Sequence, residues 1–392
     1  MNGLEKGSLP DGWRWAQLGE VAKVFAGSAA PQGEDYFDPQ GPRFVRVSDL
    51  GQKGRTSFLV NIRDRLSPKA LRQCSLVLAK KGTVLFPKSG AAITTNNRAL
   101  LGIDAYIVSH LMAVEPTEQT TSDWLYWSLC QLDMMDYSDN VGYPSLKQST
   151  VEKVTIPLPP LSEQKHIAAI LNEQMAAVKR ARAVAEAQLE AAKALPAAYL
   201  RAVFNSPEGR QWPRRPLGEL VENFDGKRVP VKLDERRGKR GPYPYYGASG
   251  IIDYVDEYLF EGEYLLVSED GANLLLRSSP IAFKASGKFW VNNHAHVVQP
   301  RDTVSLEYLL YFLAVTDLKP YVTGAAQPKL TQEDMNSIPI PVAPMLEQQR
   351  IMARLSEQLT CAERTRKALE EQFDAINKLP AALLHRAFKG EL

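Results

Sequence analysis

Ile156 opens the run IPLPPLSEQKHIAAILNEQ, which continues to EAAKALPAAYLRAVF at Phe204, and Ile340 opens IPVAPMLEQQRIMARLSEQ, which continues to DAINKLPAALLHRAF at Phe388. The two copies align without a gap from Pro144 with Pro328 to Phe204 with Phe388, a constant offset of 184 positions (328 − 144 and 388 − 204). Roughly two aligned positions in five are identical, the mark of a tandem duplication. Each copy begins with prolines, which block helix upstream and leave one proline near the first turn, where its missing N–H costs nothing. Beyond them Ala, Glu, Gln, Lys and Arg dominate, with no Gly or Pro until Pro196 and Pro380. A long exposed helix is expected from Leu161 to Phe204, and again in the second copy.

In the first copy Leu171, Met175, Val178, Arg182, Ala185, Leu189 and Ala192 step by four and three; Leu355, Leu359, Ala362, Arg366, Leu369, Phe373 and Ile376 do so in the second. That spacing is a coiled-coil seam. Arg182 and Arg366 occupy the same seam position. A polar residue there fixes register at some cost in stability, and an Arg snorkelling off the edge of an ordinary helix pair is the equal alternative. The first helix carries the chain away from one globular region and the second must bring it back, so a pair between them is antiparallel.

With 392 residues, 44% hydrophobic and 23% charged, the chain has the composition of globular material, enough for two domains besides the helices. No apolar run reaches membrane-spanning length, and MNGLEKGSLPDGW lacks the apolar centre of a secretory leader, so a cytoplasmic protein with no membrane association is expected. Cys74, Cys130 and Cys361 are far apart without metal spacing, which reads as reduced thiols. A net charge of +2 neither demands nor excludes nucleic acid, because a local basic face matters more than the total.

Trp13 to Gly27 reads as a first strand with a counterpart in Trp212 to Gly226, through Leu18-Gly19-Glu20 and Leu217-Gly218-Glu219. Short apolar runs at Arg43 to Val47, Leu76 to Leu78, Val84 to Phe86 and Tyr106 to Val114 read as further strands. A helix capped by Thr121 or Ser122 follows, and Ser305, Tyr308, Leu309 and Leu313 mark its equivalent. The 184 offset also matches His110 with His294 and Pro116 with Pro300. Each repeat is therefore one mixed domain followed by one long helix.

This duplicated layout of globular domain, IPxPP-type lead-in, EQ-containing helix and LPxALLxRAF-type ending resembles the specificity (S) subunit of type I restriction-modification systems. LFPKSGAAITTNNRALLGIDAYIVSHL, PYYGASGIIDYVDEYLFEGEYLLVSEDGAN and KFWVNNHAHVV are similar to segments of that family's target-recognition domains. The resemblance covers essentially the whole chain. It implies an α+β fold with two target-recognition domains at 1–158 and 206–342 and two helical regions at 159–205 and 343–392. An antiparallel helix pair and a pseudo-two-fold axis would relate them. It further implies a non-catalytic reader of a bipartite site in double-stranded DNA, joined by two methyltransferase (M) subunits and by restriction (R) subunits. S-adenosylmethionine, ATP and Mg2+ would then sit on those partners, with no cofactor in this chain. The helices would set the spacer: about 34 residues span roughly 50 Å, and half-sites one turn apart lie about 34 to 36 Å between centres.

Competing chemistries find little support. His294-Ala-His296 offers two ligands from one face of a strand, yet no Cys or third His lies nearby and Glu269-Asp270 need not be close, so metal binding is disfavoured. Lys88-Ser89-Gly90 lacks the GxxxxGK[ST] frame of a phosphate loop. No NPPY-like or DPPY-like methyltransferase tetrapeptide is present. Asp234, Glu235, Arg236 and Arg237 read as a solvated turn. Tyr243, Tyr245 and Tyr246 read as core more readily than as groove lining.

The duplication supplies an internal control: positions shared by both domains point to scaffold or phosphate contacts, and polar positions that differ point to base readout. By that rule His110 and His294 lean structural. The candidate DNA-binding residues are Lys88, Ser89, Thr94, Thr95, Asn96, Asn97, Arg98, Tyr143 and Ser145 in the first domain. In the second they are Glu269, Asp270, Asn273, Arg277, Gln327 and Lys329. Two other readings fit the layout, the specificity subunit of another restriction class with bipartite sites and a coiled-coil adaptor that holds proteins apart without reading sequence.

Overall fold

The computed structural model describes residues 9–50, 58–139, 142–324 and 327–392; the stretch 1–8, on which the reading of no secretory leader partly rests, lies outside them. The chain divides into two compact units, Met1–Ala185 with Gln372–Leu392, and Glu186–Glu371. The long helices are Leu161–Phe204 and Met345–Ala387, and each contributes one part to each unit. The seam is visible as burial: Leu171, Met175, Ala185, Leu189, Ala192, Leu355 and Ala362 are buried, and Val178, Leu359, Leu369, Phe373 and Ile376 are half-buried. In the first unit Arg182 lies over the Phe373 ring at 5.8 Å, while Phe388, at the far end of the second helix, packs in the domain core with Ile167 and Leu171. The two segments there are antiparallel.

Neither seam arginine is a buried register pin. Arg182 is exposed, and Arg366 bonds to Glu363 and Glu370 of its own helix. Of the two alternatives, the snorkelling arginine is the one observed, since a long stem reaches solvent at less cost than an ion desolvates.

In the first unit a five-stranded sheet has the order Ala22–Ala26, Leu111–Pro116, Val84–Pro87, Ala99–Leu101, Phe58–Leu59. Its central strands are apolar at consecutive positions because both faces are covered. Val84, Phe86, Met112 and Val114 face one core, and Leu85, Leu111 and Ala113 face another. The second unit repeats the first four strands as Val221–Asn223, Ala295–Pro300, Phe260–Ser268 and Ala282–Val291, again with all three pairings antiparallel. The fifth strand matches as well, since Phe58–Leu59 and Tyr243–Gly247 each join the fourth strand of their sheet in parallel, and the second unit departs only by adding the edge strand Gly250–Val255 beyond it.

The single strands expected at Trp13 to Gly27 and Trp212 to Gly226 are each broken by a helical turn, Leu18–Val21 and Leu217–Leu220. The turn buries Leu18 with Val21 and Leu217 with Leu220, and Leu18 N–H donates to Val154 O at 2.8 Å. Gly218 is required there, since a Cβ would stand 2.9 Å from the Asn336 side chain. The expected strand Tyr106 to Val114 is two strands, Ala105–Ile107 and Leu111–Pro116, and the one at Leu76 to Leu78 is Leu78–Ala79. Arg236 does not lie in a solvated turn. It sits in the helix Leu233–Arg237, 4.7 Å over the Tyr245 ring and 3.5 Å from the Asp253 carboxylate. Tyr245 is buried and Tyr246 packs on Phe283 and Phe289, as core tyrosines.

The motif residues of the repeat have matching tasks. Thr121 caps Ser122–Gln131 through Trp124 N–H, and Ser305 caps Leu306–Val315 through Tyr308 N–H. Gln164 and Gln348, the Gln of each EQ pair, are fully buried and accept from the N–H of those same cap residues at 3.0 Å. Their amides donate to Gln119 and Pro159 carbonyls in one unit and to Thr303 and Ala343 carbonyls in the other. Each EQ thus ties a long helix to the domain that precedes it.

Candidate nucleic-acid interface

In each unit a central strand ends in a turn that pairs with the loop before the Pro-rich lead-in. In the first, Lys88 N–H donates to His110 O, Leu146 N–H to Lys88 O, and Gly90 N–H to Pro144 O. In the second, Glu269 N–H donates to His294 O, Leu330 N–H to Glu269 O, and Gly271 N–H to Pro328 O. Ser89 bridges Ser145, and Asp270 bridges Lys329. Gly90 (φ +74°) and Gly271 (φ +106°) turn the chain into a short helical segment, 91–95 or 273–276. Ile93 and Leu274 anchor it in the core. The segment ends at a left-handed residue, Asn96 (φ 51°) or Arg277 (φ 53°). Through this turn the offset is 181 rather than 184 (269 − 88 and 277 − 96).

On that alignment the candidate residues separate. Arg98 and Arg277 are scaffold rather than readers. Arg98 is buried, with Nε donating to Leu129 O and Nη2 to Leu132 O, and Arg277 donates to Leu313 O and Thr316 O. Those carbonyls are equivalent in the two repeats (313 − 129 and 316 − 132 are both 184), so each arginine bonds the C-terminal end of its unit's capped helix. Asn96 supports Arg98 at 2.6 Å, and Asn97 gives its carbonyl to the same guanidinium. Asn273 is likewise turned inward, onto Ser278 and Ser279.

Glu269 is also committed. Its carboxylate meets Arg228 at 2.7 Å and Lys329 at 3.2 Å. Beneath it, His296 reaches Asp225 through Nδ1 at 2.6 Å and Leu330 O through Nε2 at 2.9 Å. Asp225, Glu269 and His296 offer ligand atoms within 4.8 Å of one another, but Arg228 already supplies the positive charge between the two carboxylates. The pair His294-Ala-His296 is divided, since His294 is exposed and bonds Asp270 at 2.8 Å. Burial raises the Asp225 carboxyl, but the hydrogen bonds from His296 and Val297 N–H and the charge of Arg228 outweigh it and leave the group below the ordinary aspartate range.

The surface of the first turn carries Lys88, Thr94, Thr95 and Tyr143, with Ser89 bonded to His110 Nδ1 at 2.6 Å and Ser145 N–H donating to Ser138. The second carries Gln327, Lys329, the Asp270–His294 pair, and Leu275 with Leu276. Sequence reasoning missed the leucines, because the 181 offset that sets them opposite Thr94 and Thr95 is hidden within a region that otherwise keeps 184. It also missed Asp225 and Arg228, which lie far from Glu269 in the chain.

The family model for the type I restriction modification DNA specificity domain matches residues 10–182 and 209–371. A Haemophilus influenzae chain that carries the provisional name type I restriction enzyme specificity subunit S.HindORF215P is 39% identical over 145 residues, and this chain spans 37% of its length. The EcoDI specificity subunit of Escherichia coli is 19% identical over 430 residues, covering 99% of this chain and 90% of that one. Among solved structures, the HsdS subunit from Thermoanaerobacter tengcongensis superposes with a TM-score of 0.66 at 21% identity, covering 99% of each chain. A chain from a study of complex assembly and conformational transition in the type I R-M system superposes with 0.77 at 20% identity, covering 98% of this chain and 100% of that one. With one matched segment in each unit, the chain belongs to the type I restriction-modification DNA specificity family.

Proposed function

We propose that each unit reads one half of a bipartite site in duplex DNA through its paired turns. The supporting observation is that the two turns make the same three pairing hydrogen bonds to the neighbouring strand and loop, while their outward side chains differ. A common scaffold with divergent polar tips is what two different half-sites require. In this reading the chain transfers no methyl group and cuts no strand. Two methyltransferase subunits and restriction subunits carry those reactions, with S-adenosylmethionine, ATP and Mg2+ bound there. The long helices set the spacer and offer docking surface to the methyltransferase subunits. No helix among the described residues is long and apolar enough to cross a membrane, and we assign the complex to the cytoplasm.

The test is methylation mapping in cells that express this chain with its methyltransferase partner, before and after residues 212–337 are replaced by the corresponding domain of a relative. One half-site should change and the other, with the spacer, should persist. A change in both halves, or in neither, removes the reading.

A further inference from the structure

We propose that Leu275 and Leu276 read thymine: the half-site recognised by the second unit contains at least one thymine whose 5-methyl group packs against this pair. The inference rests on the paired turns facing DNA. Leu275 is 48% and Leu276 73% exposed, on a turn whose own core anchor, Leu274, is 1% exposed. Burying a leucine is worth roughly 1.5 to 3 kcal/mol, so two leucines held in water forgo a large stabilisation.

The backbone does not demand them. The same turn in the first unit carries Thr94 and Thr95, whose hydroxyls fold back onto Ala91 O and Ala92 O at 2.7 Å. Nor can the second turn relax to hide the leucines. Gly271 N–H is bonded to Pro328 O, the Asn273 side chain to Ser278 and Ser279, and the Arg277 guanidinium to the end of the capped helix. The leucines are presented rigidly, which lowers the entropy cost of a contact.

Their surroundings name the occupant. Asp270 with His294, and Lys329 bridged to Asp270, flank the same turn with charge and hydrogen-bonding groups; two leucines set among them are far smaller than the roughly 1,000 Å² that a specific protein interface buries. The DNA major groove offers donors and acceptors at every base pair and one apolar group, the thymine methyl. A turn carrying polar groups beside two rigid leucines matches a half-site with thymine among its bases.

The experiment uses the chain assembled with its methyltransferase partner. The half-site belonging to the second unit is identified by the domain exchange above, and each of its thymines is replaced in turn by deoxyuridine, which removes only the methyl group. At least one replacement should weaken binding about fourfold, the worth of burying one methyl-sized group. In the double variant Leu275→Ala with Leu276→Ala the same duplex should bind no worse than the parent, because the methyl has lost its partner. Retained thermal stability shows that this variant is folded, as expected for exposed positions.

A mapped half-site without thymine would overturn the proposal, as would equal binding of every deoxyuridine duplex by an unaltered complex. So would a double variant that keeps the full deoxyuridine penalty, or one that keeps DNA affinity but loses the methyltransferase subunit. In each of these cases the two half-sites are still read, so failure of this inference is distinct from failure of half-site reading, which the domain exchange alone reveals.

Discussion

The turn of the first unit and the turn of the second have nearly the same backbone and rest on opposite foundations. Under Glu269 lies the network of Asp225, Arg228 and His296, with almost no solvent around the histidine. In the first unit the matching positions, by offsets of 184 and 199, are Met112 in place of His296 and Ala26 in place of Asp225, and these two residues face each other across adjacent strands. One foundation is apolar and the other ionic, yet both support the same backbone bonds from Gly90 or Gly271 to a proline carbonyl. The geometry of the turn is therefore set by main-chain pairing and by the arginine on the capped helix, and the material beneath is free to diverge.

The arginines test that conclusion most severely. Arg98→Ala removes a buried guanidinium from the two carbonyls at the end of the capped helix and from that of Asn97, and charged hydrogen bonds of this kind are worth about 1.5 to 3 kcal/mol each with strong context dependence. We expect the first unit to lose about 3 kcal/mol, and Arg277→Ala to cost the second unit somewhat less, because Arg277 is less buried. Denaturant unfolding should show the loss, while methylation mapping should return the same bases. An altered base preference at undiminished stability would return either residue to the readers.

The arginines also mark how far the sequence alone reaches. The duplication, the seam, the two helix caps and the tandem α+β layout are legible because the 184 offset is unbroken from Pro144 to Phe204 and because periodicity survives divergence. The turns are not. Between the equivalent strands the offset falls to 181, and Arg98 and Arg277 do the same work from backbone positions two apart on that alignment (96 pairs with 277). An alignment by identity therefore reads them as unrelated polar residues. The helical turns at Leu18 and Leu217 are hidden for another reason: a four-residue turn inside an alternating apolar run has too few residues to show a period. Of the candidate residues, the strand end and the loop that pair were legible, and the division into inward-facing and outward-facing side chains was not.

Acid should separate the two foundations. The folded state holds the Asp225 carboxyl below its ordinary value, so the unfolded chain binds that proton more readily. The stabilisation is complete above the unfolded value of about 3.9 and is lost as pH falls through the folded one. Unit two should lose protection from pepsin as pH drops below about 4, ahead of unit one, which has Ala26 at that place. Asp225→Asn, less stable at neutral pH, should flatten the dependence. Equal acid sensitivity of the two units, or an unchanged profile in the variant, would show that the ionic foundation contributes nothing that the apolar one lacks.

The smallest effect tests the shared part of the comparison. Thr121 and Ser305 cap equivalent helices at 3.2 and 3.3 Å, and each receives a glutamine oxygen at its own N–H from the long helix that follows. The arrangement is a capping box in which the reciprocal acceptor comes from 43 residues further along the chain (164 − 121 and 348 − 305) rather than from the same turn. Losing the cap hydroxyl should cost about 1 kcal/mol in either unit, because the glutamine still satisfies the second donor. Thr121→Ala and Ser305→Ala should therefore match within about 0.5 kcal/mol, the scatter of independent sites, when each unit's unfolding is followed by hydrogen exchange. A large inequality would mean that the ionic and apolar foundations reach up into the helices, and that the two domains share less than their backbones suggest.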